Sequence, residues 1–333
     1  TDSEQRKHIS PQKMDYLDSI NRALNAVTYP SEPQGLYEPI AYALSMGGKR
    51  LRPTLVLLAC AIYRNDPEVA MPAALAIETY HNHTLLHDDL MDHADMRRGK
   101  PTVHVKWNEN TAVLSGDTML IAAFRHLIDT NCPNKERMLS LFARTATEIC
   151  EGQQHDVNFE NRIDVTEEEY IEMIRLKTSV LLGCAAKLGA LAGNAPDEDA
   201  DTLYRFAEKI GLAFQLQDDY LDVYGDPAVF GKQIGGDILC GKKTFLLIHA
   251  LQKADAETRK KLLAILEDKT IEPTLKIRTV TEIYNQLDIP ALTLAAIERF
   301  YEDARRELDS ISVGKEKTAP IWDYACSLLK RQV

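Results

Sequence analysis

Two acidic runs of one form, Asp88-Asp89-Leu90-Met91-Asp92 and Asp218-Asp219-Tyr220-Leu221-Asp222, stand far apart in a chain that otherwise reads as helix. On a helix the first and fifth residues of such a run lie one turn apart on one face, so each run offers a two-pronged clamp of carboxylate oxygens. The flanks are apolar: Thr84, Leu85 and Leu86 precede the first run, and Gly211, Leu212, Ala213, Phe214 and Leu216 lead into the second. Clustered carboxylates that emerge from buried sequence are costly unless a cation neutralises them. A solvated acidic face would account for one run, but two together point to metal. Oxygen-only ligands suit hard cations, and Mg²⁺ keeps several waters and is held by one or two carboxylates plus substrate phosphates. The clamps therefore predict a polyphosphate ligand along with Mg²⁺.

The rest of the composition sets the frame. With 333 residues, 45% hydrophobic and 27% charged, the chain is long and apolar enough for a substantial core. No Pro/Gly/Ser-rich linker or shift in composition divides it, which predicts one all-α domain over 1–333. A net charge of -11 argues against a nucleic-acid protein, because affinity there rests on basic patches. No apolar stretch reaches the roughly 18 residues needed to span a bilayer. Cys60, Cys132, Cys150, Cys184, Cys240 and Cys326 are scattered without a CxxC pair, which suits free thiols in a reducing compartment and predicts a cytoplasmic protein.

Apolar residues recur at three- and four-residue intervals through about 14–26, 37–45, 53–64, 68–92, 112–130, 136–158, 167–193, 197–224, 243–253, 257–267, 273–286 and 290–310, predicting helices there. Pro53 suits a first helical turn, and Gly193-Asn194-Ala195-Pro196 reads as a helix stop. The apolar stretches at about 112–128 and 178–192 fit a partner interface or the core equally well.

Two basic turns accompany the acidic runs. Gly47-Gly48-Lys49-Arg50-Leu51-Arg52-Pro53 places three cations where a helix begins, and the glycines allow close backbone approach. Such a turn alone is most often solvated surface. Arg97-Arg98-Gly99-Lys100-Pro101-Thr102 follows the first acidic run closely, so anion-binding cations lie beside metal-binding carboxylates. A diphosphate needs both. Gly152-Gln153-Gln154 and Asp156 read as a polar helix face.

In order along the chain, GGKRLRP, HDDLMD, RRGKPT, Lys177-Thr178, FQLQDDYLD, Lys232 and Gly241-Lys242-Lys243-Thr244 resemble the trans-isoprenyl (polyprenyl) diphosphate synthase family of short-chain type, over about residues 40–250. The resemblance implies an isoprenoid-synthase helical bundle around a central cavity, and Mg²⁺-dependent condensation of isopentenyl diphosphate with an allylic diphosphate such as dimethylallyl, geranyl or farnesyl diphosphate. It implies that Asp88, Asp89, Asp92, Asp218, Asp219 and Asp222 hold three Mg²⁺ ions. Arg97, Lys177, Lys232 and Lys242 would contact the allylic diphosphate, and Lys49, Arg52, His81 and Arg98 the isopentenyl diphosphate. Thr178 and Gln215 would turn their oxygens to the allylic cation, with Asp237 in support and a homodimer as the assembly. Cys240 departs from the family, in which an acidic or polar residue is common before the Gly-Lys-Lys-Thr segment.

Product length in such a family depends on what blocks the tunnel before the first acidic run. Here the fourth and fifth residues before Asp88 are Thr84 and His83, with Tyr80 three further back. This predicts 15- to 20-carbon products, with geranylgeranyl slightly favoured over farnesyl diphosphate. Three rivals remain at this level. His83 and His87, at i and i+4, could begin a zinc site, though the glutamate of HExxH and a clear third ligand are missing. A class I terpene cyclase would share the fold but would not need a second diphosphate pocket. A noncatalytic partner subunit would be expected to lack one clamp.

Overall fold

The computed structural model describes residues 11–230 and 234–330. The chain forms two compact units, one up to Ala143 with Cys184–Leu203, the other Arg144–Gly183 with Tyr204 onward. Its helices are α1 (Pro11–Ala26), α2 (Gln34–Ser45), α3 (Leu51–Ala61), α4 (Met71–Met91), α5 (Val103–Lys106), α6 (Glu109–Ile128), α7 (Lys135–Phe159), α8 (Glu167–Ile174), α9 (Val180–Ala192) and α10 (Asp197–Tyr224). There follow α11 (Pro227–Phe230), α12 (Gly236–Cys240), α13 (Phe245–Lys253), α14 (Ala256–Glu267), α15 (Pro273–Gln286), α16 (Ile289–Asp309) and α17 (Lys315–Lys330). Among the described residues, the strands are limited to a hairpin of β1 (Met96–Arg97) and β2 (Lys100–Pro101). The all-α expectation holds, and α7, α9 and α10 carry the chain from one unit to the other.

In the first unit α4 is the central helix. It begins with Pro72 in its first turn, where a missing N–H costs nothing, and it is apolar on most of its circumference, with Ala73, Ala74, Ala76, Ile77 and Tyr80 all buried. Helices α3 and α6 pack along it. Burying one side chain such as Ile77 stabilises the unit by roughly 1.5–3 kcal/mol relative to leaving it in water. The buried charges inside this layer are paired: Glu78 meets Arg50 at 2.8 Å, and Arg50 also donates to the Leu44 carbonyl and to Asn21. Gly189 of α9 is required by close approach, since a Cβ there would lie 2.0 Å from the Val56 carbonyl oxygen.

The two candidate interface stretches part company here. Residues of α9 such as Val180, Leu181, Leu182 and Leu188 are buried, whereas α6 exposes Val113, Leu114, Ile121 and Ile128 along one stripe.

In the second unit two apolar clusters stack along α10 and α13–α16. One gathers Tyr170, Met173, Leu216, Phe245 and Ile248; the other gathers Ile238, Leu246, Leu251, Val280, Ile283 and Tyr284. Local signals set the starts: Thr166 and Glu169 form a reciprocal capping box for α8, and Thr244 caps α13 by accepting the Leu247 N–H. The predicted helix over 167–193 is interrupted by a π-helical segment, Arg175–Ser179. Helix α17 is absent from the periodicity reading. Its buried set Ile321, Tyr324, Ala325 and Leu328 is short, and Pro320 inside the helix disguises the pattern. Among the described residues, no helix is long and apolar enough to cross a membrane.

Candidate active site

In the first unit the acidic run closes α4. Asp88 is half-buried, Asp89 is 7% exposed, and Asp92 caps the helix and is exposed. Asp89 spends both carboxylate oxygens on Arg97, whose Nε and Nη2 donate at 2.7 and 2.8 Å. This bidentate pair, reinforced by Asp88 and Asp92, raises the Arg97 pKa. Of the three aspartates expected as metal ligands here, Asp89 is thus buried against a guanidinium, while Asp88 and Asp92 stand one turn apart.

Arg97 and Arg98 are placed by the hairpin. Arg98 and Gly99 both have positive φ, 51° and 75°, the geometry of a two-residue turn that matches strand twist. Arg98 then lies against Gly48, where a Cβ would sit 2.9 Å from its Nη2, and donates to the Gly47 carbonyl. The glycine pair therefore makes room for a guanidinium. Burial lowers the pKa of Arg98. Lys49 is exposed on the same turn, and Arg52 Nη1 lies 3.2 Å from His81 Nε2. Burial, then the charges of Arg52, Arg98 and Arg97, hold the His81 pKa well below its usual value, so its neutral ring accepts from Arg52. Lys49, Arg52, His81 and Arg98 are thus gathered around one turn. Arg50, between them in sequence, is turned inward to Glu78.

The three residues expected to set product length also lie on α4. Tyr80 is buried with its ring edge-on to Phe142 at 5.2 Å and 5.3 Å from the His83 ring. His83 is buried, and its Nδ1 donates to the Gly116 carbonyl of α6 at 2.8 Å. Burial, with His87 nearby, lowers its pKa to about 4. Thr84 turns its hydroxyl onto the His81 carbonyl. His87 likewise faces α6, with Nε2 3.2 Å from the Val113 carbonyl. Each ring keeps its second nitrogen, so the zinc rival fails on ligand number rather than on these bonds. Among the described residues no group of three or more His, Cys, Asp or Glu gathers into a metal cage.

In the second unit Gln215, Asp218 and Asp222 of α10 are half-buried, and Asp219 is 1% exposed. Asp219 accepts from the Tyr170 hydroxyl and from the Phe245 N–H, 3.1 Å away, so it fastens α8 and α13 to α10. Burial raises its pKa to about 6 against the pull of Lys242. Asp222 accepts the Asp237 N–H at 3.0 Å through Oδ2, and its backbone carbonyl accepts the Gly235 N–H at 2.7 Å. The turn so fixed carries Lys242, whose Nζ lies 3.8 Å from Asp237. Burial pulls the Lys242 pKa down, but Asp219, Asp237, Asp156 and Asp222 outweigh it, and the net shift is upward. Lys232 lies outside the described residues.

Lys177 and Thr178 sit in the π-helical segment, a device often found at functional sites. Lys177 Nζ donates to Asp156 at 2.7 Å. Gly152 permits the approach: a Cβ there would come within 2.3 Å of the Lys177 backbone nitrogen. Asp156 was not among the residues singled out as catalytic from sequence. Its signal was the Gly152–Asp156 spacing of one helical turn, facing Lys177.

The donor set suits Mg²⁺. Asp88 and Asp92, and again Asp218 and Asp222, offer hard oxygen donors at i and i+4, where like charges repel unless a cation joins them. Neither pair completes a coordination shell alone, as expected of ions that phosphate oxygens help to bind.

The sequence profile described as Polyprenyl synthetase matches residues 33–286. A geranylgeranyl diphosphate synthase of Methanosarcina mazei is 38% identical over 312 residues, 92% of this chain and 94% of that protein. A short chain isoprenyl diphosphate synthase of Methanocaldococcus jannaschii is 42% identical over 257 residues, 77% of this chain and 78% of its own length. A crystal structure of geranylgeranyl pyrophosphate synthase superposes with a TM-score of 0.91 at 40% identity, covering 96% of this chain and 99% of that one.

Proposed function

The chain belongs to the polyprenyl synthetase family, and from that premise we propose that it joins isopentenyl diphosphate head-to-tail to an allylic diphosphate, giving 15- to 20-carbon trans-prenyl diphosphates and free diphosphate. The observation that carries this reading is the pairing of each acidic run with its own cations: Arg97 beside Asp88 to Asp92, and Lys242 and Lys177 in the unit of Asp218 to Asp222.

Mg²⁺, in three ions by our reading, would be held by Asp88, Asp92, Asp218 and Asp222, with Asp89 and Asp219 fixing the acidic runs in place, and it would supply charge neutralisation for a departing diphosphate. The chain's own groups do the rest. Arg97, Lys177, Lys232 and Lys242 hold the allylic diphosphate as its C–O bond breaks, which is electrostatic stabilisation of charge that builds in the transition state. Thr178 and Gln215 turn oxygen atoms toward the allylic cation. Lys49, Arg52 and Arg98 hold isopentenyl diphosphate, with neutral His81 accepting from Arg52 so that the guanidinium keeps its orientation. The double bond of isopentenyl diphosphate attacks the cation, a carbon–carbon bond forms, and the released diphosphate takes the proton. An apolar surround must exclude water, or the cation would end as an alcohol.

Tyr80, backed by Phe142, supports a floor that admits geranylgeranyl more readily than longer chains, with His83 and Thr84 above it. The exposed stripe of α6 supports a homodimer, and the free thiols support a cytoplasmic setting. Residues 1–333 are read as one polyprenyl synthetase domain in function. Incubating the protein with Mg²⁺, labelled isopentenyl diphosphate and farnesyl diphosphate tests the reading by product mass. A chain extended by five carbons is expected; a cyclised hydrocarbon, or no condensation with any allylic partner, would overturn it.

A further inference from the structure

Between Lys49 and Arg52 stands a cation that the proposed reaction leaves unused. Arg50 is 5% exposed, and three of its nitrogens donate to three different helices: Nε to Asn21 of α1 at 3.1 Å, Nη2 to the Leu44 carbonyl of α2 at 2.7 Å, and Nη1 to Glu78 of α4 at 2.8 Å. Glu78 is 2% exposed, and Asn82, one turn further along α4, donates to the same carboxylate oxygen at 3.2 Å. The guanidinium is therefore committed to the interior.

Stability is a poor account of this pair. Taking two charges out of water can cost more than their attraction returns, so apolar residues of similar volume would hold the same helices about as well. The backbone adds to the cost, because Arg50 has left-handed dihedrals, φ 49° and ψ 40°, which a residue with a Cβ seldom adopts. Thr54 closes that conformation off, its N–H and hydroxyl both donating to the Arg50 carbonyl at 3.1 and 2.7 Å.

What the arrangement fixes is direction. With Arg50 locked inward, Lys49 before it is left exposed, and Arg52 after it meets His81, three residues beyond Glu78 on α4. Helix α4 so grips the basic segment at two neighbouring points of one face, at Glu78 through Arg50 and at His81 through Arg52. Burial lowers the Arg98 pKa, and the charge of Glu78 opposes that shift.

We propose that Glu78 and Arg50 are positioning residues for the isopentenyl diphosphate pocket: the buried pair sets the direction of the turn and so aims Lys49 and Arg52 at the diphosphate. This rests on the reading of that turn as the pocket of isopentenyl diphosphate, and neither residue touches the substrate.

Steady-state kinetics of the intact protein, with each substrate varied in turn and thermal midpoints measured alongside, test the proposal. Glu78→Gln keeps the shape but strips the countercharge, and Arg50→Met combined with Glu78→Leu removes both charges for an apolar fit. In each, the KM for isopentenyl diphosphate should rise roughly tenfold or more, the worth of one charge-assisted contact, while kcat and the allylic KM stay within about twofold. The double variant decides between roles, because its midpoint should return near the parent's while its KM does not; a purely structural pair would bring both back together. An isopentenyl diphosphate KM within about twofold of the parent's in either folded variant, a rise shared equally by both substrates, or failure of both variants to fold would each overturn the proposal. A parent that never condenses isopentenyl diphosphate would overturn the proposed function and this inference with it, whereas a condensing parent with unmoved variants overturns the inference alone.

Discussion

Asp222 Oδ2 accepts the backbone N–H of Asp237 at 3.0 Å, so the last carboxylate of the second acidic run holds the turn that presents Lys242. An asparagine can do the same through its amide oxygen, but it carries no charge. If holding the turn is the dominant role, Asp222→Asn should keep most of its turnover, while Asp222→Ala should lose roughly tenfold through a rising KM for the allylic substrate. Equal collapse of both variants in steady-state assays would make the charge itself the essential property.

Asp88 and Asp218 should behave differently. Both are proposed to meet the ions of the allylic diphosphate, and removing such charge stabilisation typically costs about 10²-fold or more in rate. Asp88→Asn and Asp218→Asn are expected to lose that much kcat at saturating Mg²⁺ with unchanged helical circular dichroism. Activity within a few-fold of the parent would exclude them as ligands.

Arg52 and His81 touch at 3.2 Å on the turn assigned to isopentenyl diphosphate. Arg52→Ala should therefore raise the KM for isopentenyl diphosphate by about tenfold or more, a lost charge-assisted contact, while that for the allylic partner moves little. Titrating each substrate separately decides the point, and a common rise in both constants would argue against separate pockets.

Tyr80 leans on Phe142 beneath the first acidic run. Tyr80→Ala should shift the products toward longer chains by one or more five-carbon units, at a cost of about 3–5 kcal/mol in stability, as for other large-to-small core changes. Product masses identical to the parent's would place the floor elsewhere.

His83 makes stability depend on acidity. Its folded pKa of about 4 lies below an unfolded value near 6.5, so the unfolded chain binds the extra proton between the two. The stabilisation is complete above about pH 6.5 and is lost as pH falls toward 4, amounting to about 3 kcal/mol at most. Denaturant midpoints should fall across that window, and less steeply in His83→Asn. Parallel curves for the two proteins would show that His83 does not carry the effect.

Much of this was readable beforehand because periodicity and carboxylate spacing are local properties. The helices carrying Asp88 and Asp218 follow from apolar recurrence, and the cation-rich turns from Gly47-Gly48 and Arg98-Gly99. What escaped depends on which way a side chain turns within a motif. Nothing in the spelling of DDLMD separates Asp88 from Asp89; only the arrival of Arg97 from the hairpin directs Asp89 inward. Arg50 and Arg52 look alike in sequence, yet a left-handed backbone at Arg50, φ 49°, sends one to Glu78 and leaves the other near His81. Asp156 and Lys177 meet from separate helices. The π-helical segment was hidden inside what read as one continuous helix.

That segment has a bearing on insertions and deletions. Arg175–Ser179 runs with wider turns than the helices on either side. A π turn closes on i+5 where an α turn closes on i+4, so removing one residue here would restore an unbroken α-helix and leave the faces on either side close to their present register. Lys177, inside the segment, would lose the bulge that carries it to the Asp156 carboxylate, whereas Gly189 would keep its place against the Val56 carbonyl. Loss of one residue here should therefore leave the packing of α9 in place and cost the Lys177–Asp156 contact, because the extra residue serves the site and not the fold.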